Sequence, residues 1–217
     1  MQSIEDKIEQ SIKSKQRGVL LFADDFNELG SPDGVRQALQ RLKKKEFIKR
    51  IAQGIYVRPN ISKYIGEVLP SVEEIAQAIA KRDKIRIIPT GTYALNALGL
   101  STQIPLQIVY LTDGAPRVIN IGKRSIKLKK TTPKNLLAKG KISSLVIQAL
   151  REMGQNEIDK TLEDKILELL KKENSKDLEH DIQLAPVWIR KIMKKAVRLN
   201  FSKYQTLKKE ESIKIFP

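Results

Sequence analysis

The chain has 217 residues, of which 41% are hydrophobic, and it contains no cysteine and one histidine. This length and apolar content predict one or two compact units, while the lack of thiols excludes disulfides, cysteine-ligated zinc and cysteine nucleophiles. The formal net charge of +16 favours polyanionic partners.

The first 60 residues show the order of elements that is typical of a winged helix-turn-helix. Isoleucines at every fourth position predict a helix over residues 3–15, and a short strand and a brief helix follow before residue 30. A serine-proline pair begins a third helix over residues 31–45. Two strand-like runs, residues 47–51 and 55–58, form a hairpin with glycine at its turn. The apolar stripe of the third helix consists of Val35, Ala38, Leu39 and Leu42.

The third predicted helix carries the residues that we expect to contact duplex DNA. Glutamine and arginine can make paired hydrogen bonds to adenine and guanine edges, whereas lysines act as counter-charges for phosphates. Between Arg36 and Arg58 there are eight basic residues and one acid, so this segment favours DNA binding over an ordinary solvated helix. The predicted DNA-binding residues are Arg36, Gln37, Gln40, Arg41, Lys44, Lys45, Lys49, Arg50 and, at the tip of the wing, Gln53.

After a linker over residues 60–70, the chain is predicted to form an α+β domain over residues 71–199. Ser71 and Glu74 form a capping box that begins its first helix, which ends at Arg82. Glycine and proline turns separate the short elements that follow, and helices dominate towards the C-terminus. Strands are predicted at 85–88, 106–112, 118–121 and 125–128, and helices at 93–98, 142–150, 156–172 and 186–198.

The predicted fold class is therefore α+β, with an N-terminal winged helix-turn-helix, a mixed α+β domain and a helical C-terminal part. We expect residues 200–217 to be a basic tail that is partly disordered. The sequence does not indicate an oligomeric state.

Enzyme sites are not predicted. Residues 90–92, Thr-Gly-Thr, follow a strand but lack the spaced glycines and the lysine of a phosphate-binding loop. Acidic pairs such as residues 73–74 lie near helix starts, where the helix dipole explains them. One acid, Asp113, lies between residues 85 and 121, which disfavours a transferase. His180 alone cannot form a typical metal site, so we expect no catalytic residue, metal or cofactor.

Membrane and targeting segments are not predicted either. No apolar run approaches the roughly 18 residues of a membrane span. The N-terminal ten residues are polar and include three acids, unlike a signal or transit peptide. We therefore expect a cytoplasmic protein that does not bind membranes.

Residues 30–42, 47–51 and 54–59 form the helix and the hairpin of the predicted winged helix. These segments resemble the N-terminal winged helix of the antitoxins of the AbiE abortive-infection toxin–antitoxin systems. The likeness to their middle region lies in residues 88–105 and 109–112, and the part from Asn96 to Pro105 is its more distinctive portion. Altogether the resemblance spans about residues 1–141.

This resemblance implies a DNA-binding antitoxin that represses its own operon by binding operator DNA through the winged helix. It also implies that the second domain counteracts a nucleotidyltransferase-type toxin. The alternative is a general winged-helix regulator whose second domain binds a small ligand, which an apolar pocket with a few convergent polar groups would favour.

A second basic zone runs from Arg117 to Lys141, with nine basic residues and no acid. Alternation along its strands predicts inward-facing Ile119, Ile121, Ile126 and Leu128, and lysines that face solvent. We expect this patch either to engage an acidic toxin surface or to extend the footprint on DNA. The third possibility is that the patch is a solvated sheet face that only keeps the protein soluble. The patch consists of Lys123, Arg124, Lys127, Lys129 and Lys130.

Overall fold

The computed structural model describes residues 2–198, and the predicted tail lies outside them. The mixed α+β class with a helical C-terminal part is confirmed. The helices are α1 (Ile4–Lys13), α2 (Pro32–Lys44), α3 (Val72–Asp83), α4 (Thr92–Ala97), α5 (Lys141–Met153), α6 (Lys160–Leu170), α7 (Ser175–Leu184) and α8 (residues 187–198). The strands are β1 (Leu20–Phe22), β2 (Lys49–Ala52), β3 (Ile55–Val57), β4 (Asn60–Ser62), β5 (Gly66–Val68), β6 (Ile87–Thr90), β7 (Gln107–Thr112), β8 (Arg117–Ile121) and β9 (Arg124–Lys130).

Two compact units divide the chain. Among the described residues, the first consists of residues 2–84 and 118–126, and the second consists of residues 85–117 and 127–198. The sequence predicted a domain boundary between residues 60 and 71, whereas the contacts group α3 with the N-terminal elements. The guanidinium of Arg82 on α3 contacts the carboxylate of Asp24 and lies 4.4 Å from the ring centroid of Phe22, which explains this grouping.

The predicted linker over residues 60–70 is wrong, because most of it forms the antiparallel hairpin β4–β5. Asn60 pairs with Val68, and Ser62 pairs with Gly66 across three turn residues. The backbone amide of Tyr64 donates to the Ser62 hydroxyl at 3.2 Å and closes the turn. Strands of three residues are too short to show an alternating pattern, so periodicity could not detect them.

Ser3, the first residue of the predicted helix, caps α1. Ser3 accepts from the backbone amide of Asp6 at 3.2 Å, and the Asp6 carboxylate accepts from the Ser3 amide at 3.1 Å. The predicted brief helix is a 3-10 helix over Ala23–Leu29, and α2 follows after a two-residue turn. The apolar sides of these helices share one core, which consists of Ile8, Ile12, Leu21, Phe26, Val35, Ala38, Leu39, Leu42, Ile48 and Tyr56.

Gly30 in the turn before α2 and Gly34 in the first turn of α2 allow α1 to approach closely. A Cβ added to Gly30 would lie 2.6 Å from Cδ1 of Ile4, and one added to Gly34 would lie 2.8 Å from the same atom. Ser31 caps α2 by accepting from the Gly34 amide at 3.2 Å. The isoleucine of α1 therefore fills the space that side chains at these two positions would occupy.

The first three strands form a sheet of order β1–β3–β2, which completes the winged helix-turn-helix. Tyr56 of β3 pairs with Leu21 on one side and with Arg50 on the other. The turn between β2 and β3 uses Gln53 and Gly54, and the φ of +70° at Gly54 is readily adopted only by glycine. The predicted hairpin is thus confirmed, with its first strand starting two residues later than expected.

The later strands form a four-stranded sheet of order β6–β7–β9–β8. The inward alternation predicted for the basic zone is confirmed for Ile126 and Leu128, which are buried, while Ile119 and Ile121 are half-buried. The helices of the second unit share an apolar core made of Val146, Ile147, Leu150, Ile166, Leu167, Leu170, Leu178, Ile182, Ala185, Ile189, Ile192, Met193 and Ala196.

Helix α7 was not predicted, and one of its residues caps the start of α5. Asp181 is fully buried and accepts from the backbone amides of Lys139 at 2.8 Å and Gly140 at 2.9 Å, and from the Ser143 hydroxyl at 2.5 Å. Glu173 accepts from the Ser143 amide at 2.9 Å. Two carboxylates therefore satisfy the free amides at the start of α5, a long-range arrangement that local composition does not show.

Candidate nucleic-acid interface

The exposed face of α2 brings together five of the predicted DNA-binding residues. They line one shallow surface depression of about 270 Å³, while the apolar stripe on the opposite face is buried in the core. All five side chains are exposed. The residues of this α2 face are Arg36, Gln37, Gln40, Arg41 and Lys44.

The chemistry of the α2 face suits the edges of DNA bases. Gln37, Gln40 and Lys44 follow one another at intervals of three and four residues, so they lie along one side of the helix. Each glutamine amide offers a donor and an acceptor, the pair that an adenine edge requires, and Lys44 offers a positive charge to a phosphate.

Glu5 of α1 forms ion pairs with two of the predicted cations. Its carboxylate lies 2.6 Å from Nζ of Lys45 and 3.5 Å from the guanidinium of Arg41. The hydrogen bond from Lys45 lowers the pKa of Glu5, and the same contact raises the pKa of Lys45. Both cations remain exposed, but their charges are partly balanced within the protein.

Two further predicted cations also have acidic neighbours. Arg36 lies 3.2 Å from Asp33 one turn earlier on α2, and Lys49 lies 3.4 Å from Glu67 of β5. Exposed ion pairs of this kind are weak, so a phosphate can compete for either cation. Within residues 2–198, Lys44 has no carboxylate within ion-pair distance, which makes it the best-placed counter-charge on the α2 face.

The wing is short. Gln53 is exposed at its tip, and the backbone amide of Ala23 donates to the Gly54 carbonyl at 2.9 Å. The guanidinium of Arg50 donates to the Ala52 carbonyl at 3.3 Å and remains exposed. The predicted wing residue Gln53 and the predicted counter-charge Arg50 therefore both lie at the surface, and a hydrogen bond joins the tip of the hairpin to the 3-10 helix.

The second basic patch is exposed at every predicted position, but it does not belong to a single unit. The contacts assign Lys123 and Arg124 to the first unit and assign Lys127, Lys129 and Lys130 to the second. Along β9 the exposed Lys127 and Lys129 alternate with the buried Leu128, as predicted.

Sequence reasoning did not identify the acids that modulate the interface. The Asp33–Arg36 pair could have been found from helical spacing, because residues three apart are neighbours on a helix. The contacts of Glu5 with α2 and of Glu67 with Lys49 join residues that are distant in the chain. No local pattern predicts such contacts.

Within the described residues no cluster of three or more histidine, cysteine or acidic side chains could hold a metal ion. None of the helices between residues 2 and 198 is both long enough and apolar enough to cross a membrane.

Comparison with known proteins identifies one family. Residues 7–178 match the model of a protein family that is described as a family of unknown function (DUF6088). No curated protein matches the chain.

Proposed function

The chain belongs to the DUF6088 family, and we propose that this member binds duplex DNA through the α2 face and acts as a transcriptional repressor. The observation that carries the proposal is the α2 face itself. Two glutamines, two arginines and a lysine share one exposed depression on the second helix of a helix-turn-helix. In this motif the second helix enters the major groove.

The residues of the α2 face have different roles in the proposed complex. Gln37 and Gln40 read base edges, and Lys44 contacts phosphate. Arg36 and Arg41 bind either guanine edges or phosphates once they leave their acidic neighbours. Lys45, Lys49 and Arg50 add charge around the helix, and Gln53 lies along the adjacent backbone or minor groove.

Fluorescence anisotropy with a duplex from upstream of the chain's own gene tests this proposal. We expect log affinity to fall linearly with log salt, and Lys44→Ala to reduce the slope by about 0.9, the contribution of one phosphate contact. Gln40→Ala should cost about 1–3 kcal/mol on the cognate duplex and relax preference at one base pair.

The matched control for this experiment is Lys176→Ala, which removes an exposed lysine from α7 in the other unit. Its salt slope should equal that of the unaltered protein. Failure of the unaltered protein to bind any duplex at low salt would refute DNA binding. Equal discrimination by the unaltered protein and by Gln40→Ala would refute the assignment of Gln40.

The resemblance to AbiE antitoxins extends the proposal to a toxin–antitoxin system. We propose that the chain represses its own operon and counteracts a nucleotidyltransferase-type toxin, with Lys127 and Lys129 of the second unit contacting an acidic toxin surface. A nucleotidyltransferase gene adjacent to that of this chain is the first expectation. Co-expression of the two should restore growth that the toxin alone arrests.

Charge reversal at Lys127 and Lys129 distinguishes two possible roles of these lysines, namely contact with the toxin and additional contact with DNA. Loss of growth rescue with intact operator binding supports toxin contact, whereas weaker operator binding with intact rescue supports a larger DNA footprint. The same reversal at Lys123 and Arg124 tests the first unit's cations independently. No effect on either measurement would leave these lysines as a solvated sheet face.

A depression in the second unit favours a second candidate function, a regulator that responds to a small ligand. It measures about 520 Å³, within the range of ligand pockets. Leu98, Leu100 and Leu169 supply apolar walls, and Asp164 and Lys165 supply polar groups. Under this reading Leu100→Gln should abolish a ligand's effect on operator binding while leaving binding without ligand unchanged.

A further inference from the structure

The β4–β5 hairpin carries an apolar tip that contacts little of its own unit. Tyr64 is 96% exposed and Ile65 is 75% exposed, and Ile61 on the adjoining strand is 62% exposed. The hairpin forms a two-stranded sheet of its own, and such a sheet is marginally stable without packing. Adjacent large apolar side chains with this exposure mark an interaction surface.

A cleft of about 610 Å³ lies beside the same hairpin. Val68 and Leu69 from the end of the hairpin form one part of its wall, and Val19 and Ala78 form others. Val19 and Leu69 are themselves 44% and 50% exposed. The first unit therefore holds both a protruding apolar tip and an open cleft with apolar walls.

The charges around the tip and the cleft balance, in contrast to the rest of the chain. The hairpin carries one lysine, Lys63, and one acid, Glu67. The charged residues that line the cleft are two acids and two bases, namely Asp25, Glu74, Lys81 and Arg82. Because the chain has a net charge of +16, two copies repel one another over most of their surface and can approach where the charge is neutral.

We propose that the occupant of this cleft is a second copy of the chain, and that two chains form a dimer by inserting each Tyr64–Ile65 tip into the partner's cleft. A protrusion and a recess on one unit are self-complementary, so a two-fold axis satisfies both contacts at once. Tyr64 serves as the buried aromatic anchor that such interfaces use. This inference does not depend on DNA binding.

Sedimentation equilibrium of the full chain over a wide range of concentrations tests the proposal. The unaltered protein should reach about twice its chain mass of 24.7 kDa. Replacement of Tyr64 and Ile65 together by serine should raise the dimer dissociation constant by roughly 30-fold or more. Both side chains are exposed, so this variant should retain its fold, which circular dichroism checks.

A variant of the cleft makes the test specific. Ala78→Gln places a larger neutral side chain on the cleft wall and should weaken the dimer as the tip variant does. A mixture of the tip variant and the Ala78→Gln variant retains one intact tip and one intact cleft per pair. It should therefore associate more tightly than either variant alone.

The matched control replaces Ile104 and Leu106 by serine. These side chains are 67% and 69% exposed and belong to the second unit, so their replacement should leave the dimer intact. A monomer at every concentration would overturn the proposal. A dimer that survives both the tip and the Ala78→Gln variants, or that the control weakens equally, would also overturn it.

Discussion

At the scale of single residues, Glu5 balances part of the positive charge on and beside the α2 face, through which we propose that the chain binds DNA. Its carboxylate contacts Lys45 and Arg41, so Glu5→Gln should release both cations. We expect the slope of log duplex affinity against log salt concentration to steepen by up to about 0.9 for each of these cations that contacts a phosphate. Anisotropy titrations at several salt concentrations measure this change.

Glu9→Gln is the control for this substitution. Glu9 also lies on α1 and pairs with a lysine, Lys13, at 2.7 Å, and the two substitutions change the net charge equally. Glu9→Gln should alter the slope of log affinity against log salt less, because its ion-pair partner, Lys13, is not one of the predicted DNA-binding residues. Identical slopes for the two variants would contradict the role assigned to Glu5.

At the scale of elements, the close approach of α1 to the turn before α2 makes Gly30 sensitive to substitution. Gly30→Ala would place its Cβ within 2.6–3.2 Å of three side-chain atoms of Ile4, so the Ile4 side chain must be displaced from its packed position. We expect a loss of about 1–3 kcal/mol in the free energy of unfolding. Urea denaturation measures this free energy. If Gly30→Ala costs less in a protein that already carries Ile4→Ala, the clash with the Ile4 side chain is the cause.

Gly34→Ala provides the comparison. Its Cβ would meet only the flexible end of Ile4 and the Ser31 hydroxyl, and alanine within a helix gains up to about 1 kcal/mol over glycine. The net cost should therefore be clearly smaller than at Gly30. Equal losses at the two positions would show that the contact with Ile4 is not the deciding factor.

At the scale of the whole molecule, carboxylates in both units make the fold sensitive to acid. The hydrogen bond from Lys45 lowers the pKa of Glu5, and hydrogen bonds from Ser3 and Ser71 lower those of Asp6 and Glu74. In the second unit, hydrogen bonds from Arg86 lower the pKa of Asp113. Each carboxylate is therefore more acidic when folded than when unfolded.

The sign of the pH dependence follows from these directions. The stability that these groups contribute is present above the ordinary carboxyl pKa of about 4, and it is lost as pH falls through the lower folded values. We expect the free energy of unfolding to decrease from pH 5 to pH 3 in urea titrations. Asp113→Asn should flatten part of that decrease, and stability that does not fall on acidification would contradict this account.

The sequence by itself determined the elements whose signals are local. The capping serines of α1, α2 and α3, the apolar stripe of α2 and the glycine at the wing turn each act within a few residues. The winged helix-turn-helix and the identity of the α2 face followed from them. Hydrophobic burial orients an amphipathic helix, so the residues on the exposed α2 face could be predicted from the sequence alone.

Only the tertiary structure decided which residues far apart in the chain meet. It showed that Glu5 balances two of the predicted cations and that Asp181 caps α5 from another helix. It also showed that α3 packs within the first unit and that most of the predicted linker forms a hairpin with an exposed apolar tip. These features depend on contacts that form after the elements pack, and a local pattern contains no information about such contacts.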